Sequence, residues 1–246
     1  MTYCVGLKLE EGLVFASDSR THAGLDNYAR FCKMTVFERA DERVIVMLSS
    51  GGLAGTQAVI GLLRQRIESD AAAHLFNAPT LLDVANRVAD AMREIDRRDS
   101  PHLPAQPFNA SFILGGQIKG RPMQLFRLYA EGNFIEAGLD TPFFQTGEAK
   151  YGKPIIDRVI TPSTPLADGV KCLLISFDST MRSNLSVGMP IDLLCYERDS
   201  LKANLRHRFE TGDAHFNAIR EQWNAGTRRV FKELPELCWG AAPTGP

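Results

Sequence analysis

TYCVGLKLEEGLVFASDSR, residues 2–20, reads as two strands joined by a tight turn. Residues 3–9 and 13–18 are apolar runs, and Glu10-Glu11-Gly12 between them places glycine where a short hairpin needs it. The second run ends in polar residues, Asp18-Ser19-Arg20. Ahead of the hairpin stand Met1 and Thr2. Initiator methionine is normally removed before a residue as small as threonine, and its removal here would give Thr2 both a hydroxyl and a free α-amine. That pairing is a nucleophile with its own base. An α-amine of ordinary pKa, ~7.7–8.0, already lies close to the pH at which it must accept a proton.

Working outward, residues 30–37 (RFCKMTVF) restart a strand with Lys33 inside it. A lysine in such a run usually faces water, and an aspartate at a strand end usually shapes a turn. A terminal threonine, an aspartate and a lysine on three successive strands of one sheet are a different matter. Together with SSGGLAGTQ at 49–57, these segments resemble the opening of a proteasome-type β subunit, an N-terminal nucleophile (Ntn) hydrolase. DSTMRSNLSVGMPID at 178–192, and the expectation that no propeptide precedes Thr2, make the chain similar to the bacterial ancestral β-subunit branch, Anbu. The resemblance runs from residue 2 to about residue 200, and the remainder carries no recognisable motif.

The chemistry follows from the residue types. Thr2 Oγ attacks a carbonyl while its amine takes the proton. Lys33, if it points inward, disfavours protonation of that amine, and Asp18 compensates the buried lysine. Gly51-Gly52 either relieves close packing or lets the Gly52 N–H face a developing oxyanion, the role that the resemblance implies. Two departures from the family pattern stand out. Thr146-Gly147-Glu148-Ala149 carries Glu148 where the family has a serine beside the amine. In Ser183-Asn-Leu-Ser186-Val-Gly188, Ser186 matches, but Ser183 replaces the acid, with Asp178 one helical turn earlier. These departures weaken the case for degradation of folded or long substrates. The resemblance implies a specificity pocket built from the lysine strand and the start of the following helix, which here supplies Ala54; side chains alternate along a strand, so if Lys33 faces the site, Phe31 and Thr35 face it too. No acid is among them, so the expected preference is an uncharged, medium-sized apolar residue.

Composition excludes other classes. The chain has 246 residues, a formal net charge of −1 and 23% charged residues, so no basic surface points to nucleic acid or anionic lipid. No apolar stretch reaches the ~18 residues of a membrane span, and no signal peptide opens the chain. Cys4, Cys32, Cys172, Cys195 and Cys238 stand singly, as small buried hydrophobes in a reducing compartment. The histidines form no ligand spacing, so no metal and no cofactor is expected. These features describe a cytoplasmic protein.

Further strands are expected at 43–49, 108–118, 121–129, 133–138 and 190–197. Helices are expected at 54–76, 80–98, 149–158, 165–182 and 213–233, with a Pro-rich connector at 100–107. Blocks of strands alternating with helix pairs fit an α+β fold, the αββα four-layer sandwich of two antiparallel sheets flanked by helices, which the resemblance also implies. Residues 1–246 are expected to form one such domain, with a C-terminal extension from about 200. The reading is a threonine-type peptide hydrolase that self-associates into a large ring or helical homo-oligomer. Two others remain: an Ntn amidase acting on small amides, and a non-enzymatic scaffold subunit. Intact Thr2, Asp18 and Lys33 argue against the scaffold.

Overall fold

The computed structural model describes residues 2–22, 28–102 and 108–237. Met1, Cys238 and most of the Pro-rich connector lie outside the described residues. The opening hairpin is β1 (Tyr3–Leu9) and β2 (Gly12–Asp18), paired in register from Cys4–Ser17 to Leu9–Gly12. A two-stranded ribbon, β3 (Arg20–His22) with β4 (Tyr28–Arg30), leads into β5 (Met34–Arg39) and β6 (Arg43–Gly51). Helices α1 (Leu53–Glu68) and α2 (Leu81–Asp99) follow, then β7 (Ala110–Ile118), β8 (Gln124–Leu128), β9 (Phe134–Glu136) and β10 (Phe143–Gly147). The last part is α3 (Lys153–Val159), α4 (Leu166–Ser183), β11 (Ile191–Glu197), β12 (Leu205–Phe209) and α5 (Ala214–Glu233).

Two antiparallel five-stranded sheets result, ordered β10-β1-β2-β11-β12 and β5-β6-β7-β8-β9. Side-chain alternation sorts each strand between two cores. On β6, Val44, Val46 and Leu48 face the other sheet, whereas Ile45 and Met47 pack with Val84, Val88 and Met92 of α2. On β1, Val5 and Leu7 pack against Leu173 and Phe177 of α4, while Cys4 faces the inter-sheet core. Three apolar layers therefore hold four layers of secondary structure, the αββα sandwich.

Three differences from the sequence reading have physical causes. The expected helix at 54–76 ends at Glu68, and a short 3-10 turn, Leu75–Asn77, follows, capped by His74. β10 escapes periodicity because Phe143 enters the helix-side core and Phe144 the inter-sheet core. With both faces covered, no polar–apolar alternation marks it. Lys33 precedes β5 rather than lying within it. The rule that residues two apart share a face therefore does not carry from Lys33 to Phe31 and Thr35.

Candidate active site

Thr2, one residue ahead of β1, lines a cavity together with Ser50, Ser111 and Thr146, on the inter-sheet side that Cys4 also faces. Its neighbour is locked the other way. The Tyr3 hydroxyl lies 2.6 Å from Ser176 Oγ and accepts from Gln145 Nε2, and the Tyr3 ring meets Phe177 at 4.7 Å. Burial pushes the Tyr3 phenol well above its ordinary range, so it stays neutral. On the far side, the Glu148 N–H donates to the Thr2 carbonyl at 2.6 Å. Gly147 beside it has φ +84°, and a Cβ there would stand 1.9 Å from the Thr2 oxygen.

Gly147→Ala is therefore expected to displace Thr2. Misplacement of a reacting group by an ångström costs about 10²-fold in rate. Gly138→Ala, where a Cβ meets open space, serves as control. Rates of Thr2 modification compare the two variants, and equal rates would show that this contact does not position Thr2.

Asp18 closes β2 with no exposed surface, and Lys33 is 6% exposed. Lys33 Nζ donates to Asp18 Oδ1 at 2.7 Å and to the Arg20 carbonyl at 2.6 Å. The Tyr3 N–H donates to the same Asp18 oxygen at 3.0 Å. Burial pushes the Asp18 carboxyl above the usual carboxylate range; the Lys33 charge, and the hydrogen bonds from Lys33 and the Tyr3 N–H, pull it back. The Gly188 amide supports the anion without meeting Oδ2 at full hydrogen-bond geometry.

Thr2 and Lys33 line one cavity of ≈ 490 Å³. It opens where the inter-sheet core turns polar. Ser50 and Ser111 carry the parity of the inter-sheet residues of β6 and β7, and Ser50 Oγ lies 2.6 Å from Thr146 Oγ1. The remaining wall includes Thr21, Gly51, Asn109 and Arg127. A second cleft of similar volume, beside Lys8 and Glu136, holds none of the candidate residues. Among the described residues, no group of three or more His, Cys, Asp or Glu stands together as a metal site.

The remaining candidates distribute unevenly. The Gly52 N–H donates to the carbonyl of Asn109, just ahead of β7, at 2.5 Å, so it is already engaged, and Gly52 does not line the cavity. Strand N–H groups alternate between edges. The Ser49 N–H meets the Lys33 carbonyl at 2.9 Å, so the Gly51 N–H leaves β6 on the Lys33 side. Gly51, rather than Gly52, lines the cavity at the start of α1, whose positive end adds to the local potential.

Glu148 contributes its backbone, while its carboxylate accepts from Asn184 Nδ2 at 2.9 Å. Asp178 is buried and accepts from Arg182 Nε at 3.0 Å in a different cleft. Ser183 is exposed at the end of α4, and the Ser186 N–H donates to Asn184 Oδ1 at 2.9 Å. None of Ser183, Ser186, Asp178, Phe31, Thr35 or Ala54 lines the Thr2 cavity. Thr35 pairs with Met47 on the α1–α2 side of its sheet, and Ala54 is exposed on α1. The pocket residues missed from the sequence include Ser111 and Arg127. The second left a signal, a lone arginine within the apolar run Leu125–Leu128.

No protein-family model matches the chain, and no curated protein does. Solved structures do. Anbu (ancestral β-subunit) from Yersinia bercovieri is 45% identical over 97% of this chain and 100% of that one, with a TM-score of 0.92. An Anbu (Gly-1) mutant from Hyphomicrobium sp. strain MC1 is 47% identical over 96% and 99%, TM-score 0.92. The Anbu complex from Pseudomonas aeruginosa, described as a helical assembly, is 50% identical over 96% and 98%, TM-score 0.93. Identity at that level over nearly the whole length of both chains, on the same sandwich, decides the family: the chain belongs to Anbu, the ancestral proteasome-like β subunits.

Proposed function

We propose that this chain is an N-terminal threonine hydrolase that cleaves peptide bonds, with Thr2 as nucleophile once Met1 is removed. The observation that best supports it is the buried Lys33–Asp18 pair at the cavity that Thr2 lines. A cation held there, with its charge compensated from behind, depresses the pKa of a free Thr2 amine without leaving a net buried charge. The amine removes the Thr2 hydroxyl proton as Oγ bonds to the substrate carbonyl carbon. The carbonyl oxygen becomes an oxyanion, received by the Gly51 N–H. Collapse expels the amine product, which takes the proton from the Thr2 amine. Water, deprotonated by the same amine, then cleaves the ester and restores Thr2. The protein also self-associates in this reading. Its support is the helical assembly of the relative from P. aeruginosa and the exposed Phe231, Leu234 and Leu237 at and beyond the end of α5.

Intact-mass measurement before and after a peptide epoxyketone tests the reading, with light scattering on the same sample. Expected are a chain lacking Met1, one adduct per Thr2, and an oligomer. The adduct rate should fall with one proton below the amine pKa. It should then fall with two protons at a pH above the ordinary carboxylate value of ~4, as Asp18, raised by burial, protonates. Retained Met1, or no adduct at any pH, would leave the scaffold reading in its place.

A further inference from the structure

We infer that the Thr2 cavity selects substrates with an acidic side chain, aspartate or glutamate, on the acyl side of the cut bond, and that Arg127 reads it. The inference rests on the hydrolase reading and reverses the apolar preference expected from Phe31, Thr35 and Ala54.

Charge is the first argument. Thirteen of the described residues line the cavity, and none of these thirteen is acidic. Two of the thirteen are cations, Lys33 and Arg127. Lys33 is matched by Asp18 at 2.7 Å. Arg127 has no carboxylate within ion-pair distance among the described residues, and its Nε is buried without a hydrogen-bond partner. A guanidinium in partly desolvated surroundings gains most from an anion that completes its hydrogen bonds.

Orientation is the second. Arg127 sits on β8 with the parity of Leu125, which belongs to the inter-sheet core, whereas Phe126 and Leu128 face α2. Its side chain therefore projects between the sheets. The guanidinium lies over the Tyr129 ring, 4.9 Å from the centroid. Stacking occupies its face and fixes its plane, which leaves the N–H edge for the fork-to-fork contact that carboxylates make. The side chain beside the attacked carbonyl is the one nearest Thr2, so it is the substrate group that this wall meets.

Three tripeptide epoxyketones, identical except for Glu, Gln or Leu next to the electrophile, test this by the rate of Thr2 modification. The Glu probe is expected to react at least about tenfold faster than its isosteric Gln counterpart. Arg127→Met should level that ratio and Arg127→Lys should keep part of it, with thermal melts showing that both variants fold. A Glu:Gln ratio near one, or the Leu probe fastest, overturns the inference while leaving the hydrolase reading intact. Calorimetry on Thr2→Ala with acetylated Glu and Gln peptides separates the two claims. If no probe reacts but the Glu peptide binds about tenfold tighter, the hydrolase reading fails and the carboxylate site stands. Equal binding, with no reaction, overturns both.

Discussion

Thr2→Ala is expected to lower peptide hydrolysis by roughly 10⁴- to 10⁶-fold, the range seen when a covalent nucleophile is removed from an otherwise intact site. The alanine chain keeps an amine, Lys33 and Asp18, but no oxygen is left to form the ester. Stability should hardly move. Thr2 is held by its carbonyl, bonded from Glu148, and by the locked Tyr3, not by its hydroxyl, which lines the cavity. Substitution of such a side chain falls within about ±0.5 kcal/mol. Hydrolysis of a fluorogenic peptide, with melting temperature as control, measures both. Thr2→Ser, which retains an oxygen nucleophile, should preserve measurable turnover. Wild-type turnover by the alanine chain would move the chemistry away from Thr2 altogether.

The parts of this site that were legible in the sequence are those fixed by strand chemistry. Thr2 and Asp18 sit at fixed places relative to one hairpin, and a hairpin is the most local of long structures. Lys33 was recognisable as the third member, yet its geometry was not. It lies in the irregular segment before β5, where period-two alternation does not apply, so the wall drawn through Phe31 and Thr35 failed with it. Gly51 and Gly52 differ by one residue, and one residue in a strand reverses the edge that an N–H faces. Two distant partners decide between them, the Asn109 carbonyl that takes the Gly52 N–H and the Lys33 carbonyl that takes the Ser49 N–H. Arg127 enters the cavity from β8 and Thr146 from β10, so both depend on sheet order that no local pattern encodes. β12 was missed for another reason. Its sequence, Leu205-Arg-His-Arg-Phe209, reads as a polar loop because an edge strand carries charge to discourage further pairing.

Asp18→Ala is expected to destabilise the fold by about 3–5 kcal/mol, the cost of removing one member of a buried ion pair. Two hydrogen-bond donors and one nearby amide explain the magnitude. The Lys33 ammonium loses its counter-charge at 6% exposure, and the Tyr3 N–H loses its acceptor in the core. The Gly188 amide loses the anion it supports. At about 2–4 °C per kcal/mol for a chain of this size, the melting temperature should drop by roughly 6–20 °C. Lys33→Met should cost a comparable amount for the opposite reason, an aspartate left charged in a site that already disfavours ionisation. The double variant Asp18→Ala with Lys33→Met separates the pair from packing. It leaves no buried charge, and replacing a buried pair by apolar groups is often near neutral, so it should be more stable than either single variant. All melts need one protein concentration, because assembly couples stability to mass action. If the two single losses simply add, the pair is not the interaction that holds this corner of the sheet. The double variant should nevertheless be inactive, since nothing is left to lower the pKa of the Thr2 amine; a folded but inactive double variant is the result expected if the pair serves the chemistry rather than the folding.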